Sequence, residues 1–488
     1  MSDEYFLKTH YSLTHQLFIM DYKEIIELCK KNGAAMIDLK FVDLPGAWQH
    51  FTVPLDQFDE NVFAEGVGFD GSSIRGFKAI NESDMVLVPD PKTFIIDMFA
   101  KEPVGSLICD VYEPGLKTRF GNDPRSIAQK AQEYLKTSGN ADMAYFGPEA
   151  EFFIFDRVEF GVDQNCSFHR VESAEANWNE NGEDDGSGYK IQNKGGYSPV
   201  APLDQTIDIR REMVAELKRL GIEVEKEHHE VATAGQAEID IKYDSLLSQA
   251  DKVMLFKYTI KNIARRCGKT ATFMPKPLFG DNGSGMHTHI SLWQGSTPLF
   301  FDANGYGGLS QTALWFIGGL LKHGRSLMAL VAPTTNSYKR LVPGFEAPTN
   351  LAYSARNRSA AIRIPMYSSS PASKRVEFRP ADASCNPYLA FSAMLMAGLD
   401  GIAKKIDPGK PINGNIYKMG EEAAAIPQVP ASLEESLAAL ESDHDYLLGG
   451  DVFSKEIIKT WIDYKTTAEY DAIRTRPTAA EFSLYYDI

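Results

Sequence analysis

The sequence predicts an α+β protein in which a small β-rich N-terminal domain precedes a larger domain mixing strands and helices. Three observations carry this. The chain has 488 residues, too many for one ordinary core. Short apolar runs bounded by turn formers crowd residues 35–111, and strand and helix periodicities alternate beyond residue 123. A cluster of turn residues, Gly121-Asn122-Asp123-Pro124, separates the two regions.

In residues 21–31, Ile25, Ile26, Leu28 and Cys29 stand near helical spacing. Ala35 to Val42 and Gln49 to Val53 read as strands around the turn Leu44-Pro45-Gly46, and Met85 to Val88 and Ser106 to Val111 as two more. Asp123-Pro124 suits a helix start, which predicts a helix over Arg125 to Leu135. Phe152 to Phe155 and Thr270 to Met274 read as buried strands; Ile207 to Leu220, Asp251 to Arg266 and Leu433 to Leu448 read as helices. Glu172 to Gly196, polar and poor in aliphatics, reads as a long surface insertion. The apolar ending (Phe482, Leu484, Tyr485, Tyr486, Ile488) predicts docking on its own domain or on a neighbouring subunit. The predicted division is an N-terminal extension (1–19, with Met20 an alternative start), a small domain (20–122) and a large domain (123–488).

The formal net charge of -16 repels a phosphate backbone and an anionic membrane surface, so neither nucleic acid nor membrane is an expected partner. No apolar run is long enough to span a bilayer, and the N-terminal residues lack a secretory pattern. Cys29, Cys109, Cys166, Cys267 and Cys385 are far apart and never in CxxC spacing, which predicts no disulfides and a cytoplasmic location. An acidic chain acting on anions must reverse its charge locally, with clustered arginines or bound metal.

Glu149 and Glu151 stand at i and i+2 of a predicted strand, so both carboxylates share one face. They are either a cation site or an exposed row of solvated charges. Glu230 and Glu238 bracket small residues behind His228-His229, either a tight connection around a cation or a surface loop. His287 and His289 share a strand face behind the glycine-rich Gly280-Asp281-Asn282-Gly283-Ser284-Gly285. Arg340, Arg356, Arg358, Arg363, Arg375 and Arg379 fall within forty residues, and Glu377 lies between the last two. A carboxylate flanked by guanidinium groups can hold a metal while its neighbours bind phosphate or carboxylate. Gly268-Lys269-Thr270 lacks the earlier glycine of a phosphate-binding loop and follows a basic helix, so it is set aside. The oxygen-rich donor set, five carboxylates and one imidazole, selects Mg²⁺ or Mn²⁺. With arginines nearby, such a set suits phosphoryl transfer.

Phe69-Asp70-Gly71-Ser72-Ser73, Asn81-Glu82-Ser83-Asp84, Gly147 through Phe153, His229-Glu230-Val231-Ala232, Lys276-Pro277 through His287, Asn336 through Pro348 and Asn386-Pro387-Tyr388 resemble type I glutamine synthetases, in order, from about Met20 onward. The resemblance implies a β-grasp domain, a catalytic domain with a curved antiparallel sheet flanked by helices, and two stacked six-membered rings with active sites between subunits. It implies that L-glutamate, ammonium and ATP are joined through γ-glutamyl phosphate, with two Mg²⁺ or Mn²⁺ ions per site. One ion would lie on Glu151, Glu230 and Glu238, the other on Glu149, His287 and Glu377. Asn282, Gly283, Arg340, Glu346 and Arg379 would position glutamate, with Tyr197 at the ammonium. Glu225, His289, Ser291, Arg358 and Arg363 would surround ATP. Asp70 of an adjacent subunit would help deprotonate ammonium, and Glu346 would lie on a loop shielding the intermediate. Two departures stand out. The family's modifiable tyrosine matches Tyr417, but Lys418 follows it in place of an aspartate, which argues against adenylylation. A family lysine matches Ala372, with Lys374 nearby as a substitute. A ligase for larger amines and a catalytically silent relative are the alternative readings; the complete ligand set, Asp70, Tyr197 and Glu346 favour ammonium.

Overall fold

A computed structural model describes residues 20–115, 118–179, 188–355, 357–414, 419 and 425–488. The predicted extension, Arg356, Tyr417 and residues 180–187 of the predicted insertion lie outside the described residues. Asp21 opens the first helix, Tyr22–Lys31, with a reciprocal cap: its carboxylate accepts from Glu24 N at 2.9 Å while Glu24 accepts from Asp21 N at 3.0 Å. Ile25 and Cys29, four residues apart, are its buried face.

Six strands follow: β1 (Met36–Val42), β2 (Trp48–Pro54), β3 (Val67–Asp70), β4 (Asp84–Pro89), β5 (Ile95–Asp97) and β6 (Val104–Tyr112). Their order is β2-β1-β6-β4-β3, with β5 on β6. The first and last strands pair in parallel, Ile37 opposite Gly105, which is the β-grasp arrangement. By compactness the described residues form two units: one holds those up to Lys40 with His50–Val67 and Leu87–Cys109, the other those of Phe41–Gln49, Gly68–Val86 and Asp110–Ile488.

The larger unit is built on β7 (Met143–Phe155), whose last six residues are all buried. The hairpin β8 (Arg157–Val162) and β9 (Ser167–Glu172) follows it, then β10 (Val224–His229), β11 (Gln236–Ile241), β12 (Asp244–Ser245), β13 (Thr270–Thr272), β14 (Met286–Gln294), β15 (Thr297–Pro298), β16 (Asn350–Ala355), β17 (Ala360–Ile364) and β18 (Val376–Phe378). The main sheet runs β10-β11-β7-β14-β18-β17-β16, antiparallel except for the parallel pair β16 and β17. Aromatic rings join it to helices: Phe146 stacks on Phe391 of helix Pro387–Lys404 at 5.0 Å, and Phe152 meets Phe256 of helix Leu246–Arg266 at 6.2 Å.

Three expectations are corrected. The predicted helix over 433–448 ends at Ser442, where Asp443 turns its carboxylate to His323 and Ser326. The predicted insertion is not simply a surface loop. Ala176 and Ile191 bridge and are fully buried, and buried Glu175 accepts from Gln205 N and pairs with His229. The apolar ending does not dock on the described residues of its own chain, which leaves the neighbouring-subunit alternative: helix Ala479–Tyr485 leaves Phe482, Leu484, Tyr485, Tyr486 and Ile488 exposed.

Candidate active site

Sheet register assembles the site. Facing residues bring His228 opposite Glu238 across β10 and β11, and Glu238 opposite Glu151 across β11 and β7. One step along, Glu149 of β7 faces His287 of β14, while His289 faces Glu377 of β18 and Glu377 faces Arg363 of β17. Alternate residues share a face, so these pairs form adjoining rows on one side of the sheet. A cavity of about 1030 Å³ opens over them. Its wall includes Glu149, Glu151, Tyr197, Glu225, Glu230, Glu238, Asn282, Gly283, His287, His289, Ser291, Arg340, Glu346, Arg358, Arg363 and Arg379. Fully buried Glu377 and exposed Asp70 are not part of that wall.

Two donor clusters have atoms within 4.8 Å of one another: Glu149, His287 and Glu377, and His228, Glu230 and Glu238. The first is the predicted trio. In the second His228 stands with the two glutamates, whereas the Glu151 carboxylate accepts from Gly285 N at 2.9 Å and Gln236 Nε2 at 3.2 Å. Burial pushes Glu230 up to about 8, reinforced by Glu151 and Glu346. Burial pushes Glu238 well up too, reinforced by Asp240, Glu149 and Glu151. Buried carboxylates that repel one another in this way are stabilised as anions by a cation, so the donor set fits hard divalent ions. Glu149 is held well below the usual range: burial opposes its ionisation, but His289 and His287 outweigh that.

The arginine segment supplies the local charge reversal. Glu377 accepts from Arg363 Nε at 2.5 Å and Arg379 Nη1 at 2.6 Å. Burial works against its charge, but His289, Arg379 and Arg363 keep it ionised. Arg375 Nε donates to His289 Nδ1 at 3.1 Å, and His289 Nε2 lies 2.8 Å from Glu149 Oε1. Arg340 spends its guanidinium on the carbonyls of Pro380, Ala381 and Arg379, at 3.0, 3.1 and 3.2 Å. Among the described residues Arg379 Nε and Asn282 Oδ1 are buried without a hydrogen-bond partner, which leaves a donor and an acceptor for a polar ligand. Lys374, near the Ala372 departure, also lines the cavity, but its amine donates to Gly307 O at 3.1 Å.

Sequence reading missed His228 as a donor, although it stands two residues from Glu230 on the same alternation that revealed Glu149 and Glu151. It also missed Gln236, whose amide reaches Glu151, Gly283 O and Ser284 Oγ. No local pattern marks that residue, because its partners come from two remote segments, Glu151 on β7 and Gly283-Ser284.

Hard-cation clusters beside arginines in one cavity define a metal-dependent phosphoryl-transfer enzyme. Residues 33–114 match the family model "Glutamine synthetase, beta-Grasp domain" and residues 121–485 "Glutamine synthetase, catalytic domain". The chain is similar to glutamine synthetases of Frankia alni (56% identity over 96% of this chain and 99% of that one) and of Aquifex aeolicus (56%, with the same shares). The solved Plasmodium falciparum glutamine synthetase superposes with a TM-score of 0.87 at 31% identity, over 96% of this chain and 99% of that one. The chain belongs to the glutamine synthetase family and is an ATP-dependent glutamate–ammonia ligase using Mg²⁺ or Mn²⁺.

Proposed function

We propose that this cavity makes L-glutamine in two steps through γ-glutamyl phosphate, with the residue roles implied by the family resemblance. The observation that carries the reading is the pair of donor clusters on adjoining rows under one arginine-lined cavity. Glu149, His287 and Glu377 would hold one divalent ion; Glu230 and Glu238, with Glu151 and His228 beside them, would hold the other. When bound, the ions neutralise phosphate oxygens and make the γ-phosphorus easier to attack.

Asn282, Gly283, Arg340 and Arg379 seat glutamate so that a γ-carboxylate oxygen faces the γ-phosphate of ATP, which Glu225, His289, Ser291, Arg358 and Arg363 surround. That oxygen bonds to phosphorus, the bond to ADP breaks, and Arg358 and Arg363 stabilise the charge on the transferring group. Ammonia then attacks the γ-carbon beside Tyr197, and phosphate leaves. Glu346 keeps water from the acyl phosphate. Asp70 has no place in its own chain's cavity wall, which supports its acting on a neighbouring subunit. Its carboxyl is held below the usual range by hydrogen bonds from Ser72 and Ser73, so it is an anion ready for ammonium.

The exposed apolar ending supports a dodecamer of two stacked hexameric rings. A cytoplasmic setting and a small domain ending near residue 122 complete the proposal. Among the described residues no helix is long and apolar enough to cross a membrane. The test measures phosphate release from purified enzyme with glutamate, ATP and Mg²⁺, comparing ammonium with putrescine and ethanolamine. Turnover with ammonium and little with the larger amines is expected; no turnover with ammonium overturns the reading.

A further inference from the structure

Glu346 lies in a turn with backbone strain. Its φ is +56° and that of Gly344 is +92°. A residue with a Cβ adopts this left-handed conformation only when its surroundings hold it there. The neighbouring phenyl ring is where the hold is made. The ammonium of Lys276 lies 4.0 Å from the centroid of Phe345, and that of Lys194 lies 4.3 Å from it. Lys194 Nζ also donates to Gly344 O at 2.9 Å.

The two lysines are remote in sequence but tied to one residue. Asp281, almost fully buried, accepts from Lys194 N at 3.0 Å with one carboxylate oxygen and from Thr233 N at 3.0 Å with the other. Its main-chain carbonyl accepts from Lys276 Nζ. Lys276 is fixed again by Asn336, whose Oδ1 accepts from Lys276 N at 2.6 Å while its Nδ2 donates to Lys276 O at 3.0 Å. Two like charges meeting at one ring repel each other, so the arrangement depends on the electron-rich ring and on Asp281 to offset that repulsion. Lys194, Phe345 and Glu346 all line the cavity.

We propose that Lys194 and Lys276 are positioning residues for the ligation, gripping Phe345 between them and so seating the Glu346 turn over the cavity while the acyl phosphate exists. This rests on reading Glu346 as the shield of that intermediate. Without the grip, water reaches the γ-carbon: its oxygen bonds there, phosphate leaves, and glutamate is regenerated with no glutamine formed. ATP is then consumed faster than glutamine appears.

The experiment measures phosphate released and glutamine formed by the full-length enzyme at saturating substrates. Phe345→Leu, which loses two cation–π contacts near the lower end of their range, is expected to raise phosphate release without glutamine about tenfold, and Lys276→Met, which loses one, about threefold. KM for ATP should stay unchanged, and Phe345→Tyr and Lys276→Arg should restore coupling. If Phe345→Leu fails to fold, Lys194→Met carries the same test. A pH profile adds a readout that a purely structural role would not move. Burial, with Lys194 and Arg340 nearby, pushes Lys276 down to about 8 against the opposing pull of Asp281. Uncoupled phosphate release should therefore rise through about pH 8 in the parent enzyme and stay flat in Lys276→Arg. Glu346→Gln separates the two ideas. Uncoupling in Glu346→Gln but not in Phe345→Leu or Lys276→Met sinks the grip alone; no uncoupling in Glu346→Gln sinks the shield reading and the grip with it.

Discussion

Glu377 has no solvent exposure, yet it remains an anion because Arg363 and Arg379 each give it a hydrogen bond and His289 adds its field. Removing the side chain would leave two buried guanidiniums unpaired, which destabilises by about 3–5 kcal/mol. Glu377→Gln keeps the shape while removing the charge. It is expected to weaken Mn²⁺ binding by more than about tenfold, since even outer-sphere partners are worth that much, and to abolish turnover with assembly intact. Calorimetric titration with Mn²⁺ at near-parent affinity would refute a ligand role. A different charge is buried with little compensation. Lys257 donates to Cys385 O at 3.1 Å, and burial pushes it down to about 8. Below about pH 8 the folded and unfolded chains both carry its proton, and the burial penalty is felt in full. Between about 8 and the ordinary lysine value the folded chain gives up the proton first, so the penalty fades as pH rises. Over that window the gain is about 3 kcal/mol. Denaturant titrations at fixed protein concentration should show this rise in the parent and lose it in Lys257→Met.

At the scale of elements, one strand approach sets the geometry of both substrate and metal residues. Gly285 exchanges hydrogen bonds with Glu151, donating to its carboxylate at 2.9 Å and accepting from its N at 3.0 Å. A Cβ on Gly285 would lie 2.4 Å from Arg340 Nη2. Gly285→Ala is therefore expected to push Arg340 off the carbonyls of Arg379, Pro380 and Ala381. A displacement of about 1 Å at a substrate-positioning group costs up to about a hundredfold in kcat/KM. Steady-state kinetics should place that loss in KM for glutamate, with circular dichroism unchanged; unaltered kinetics would mean Arg340 does not position substrate. Alternation along strands made Glu149 with Glu151, His287 with His289 and Arg375 with Glu377 and Arg379 legible in the sequence. Which strands lie side by side was not legible, because β11, β7, β14 and β18 pair across long gaps, as Glu149 does with His287. That is why Asp281 read only as part of a glycine-rich loop, although its carboxylate accepts from Lys194 N and Thr233 N. His228 is a different case: it faces Glu238 across the local pairing of β10 and β11. The surface insertion was misread for a related reason: low aliphatic content says nothing of Glu175, whose burial rests on a pairing with His229.

For the whole molecule the informative feature is the ending of the chain. Thr478 and Glu481 cap the last helix reciprocally, Thr478 N donating to Glu481 Oε2 at 2.6 Å and Glu481 N to Thr478 Oγ1 at 3.4 Å. A seven-residue helix with no packing partner is unstable in water. Among the described residues Phe482, Leu484, Tyr485, Tyr486 and Ile488 of this one are exposed, which supports the proposed docking on another subunit. If it clasps the opposite ring, removing residues 477–488 should separate the rings and leave each ring intact. Sedimentation should then fall from the mass of twelve chains to that of six, and each ring should keep most of its specific activity, since the proposed active sites lie between neighbours within a ring. An unchanged mass would show that the ending does not join the rings. A fall straight to single chains with activity lost would show instead that it holds neighbours within a ring.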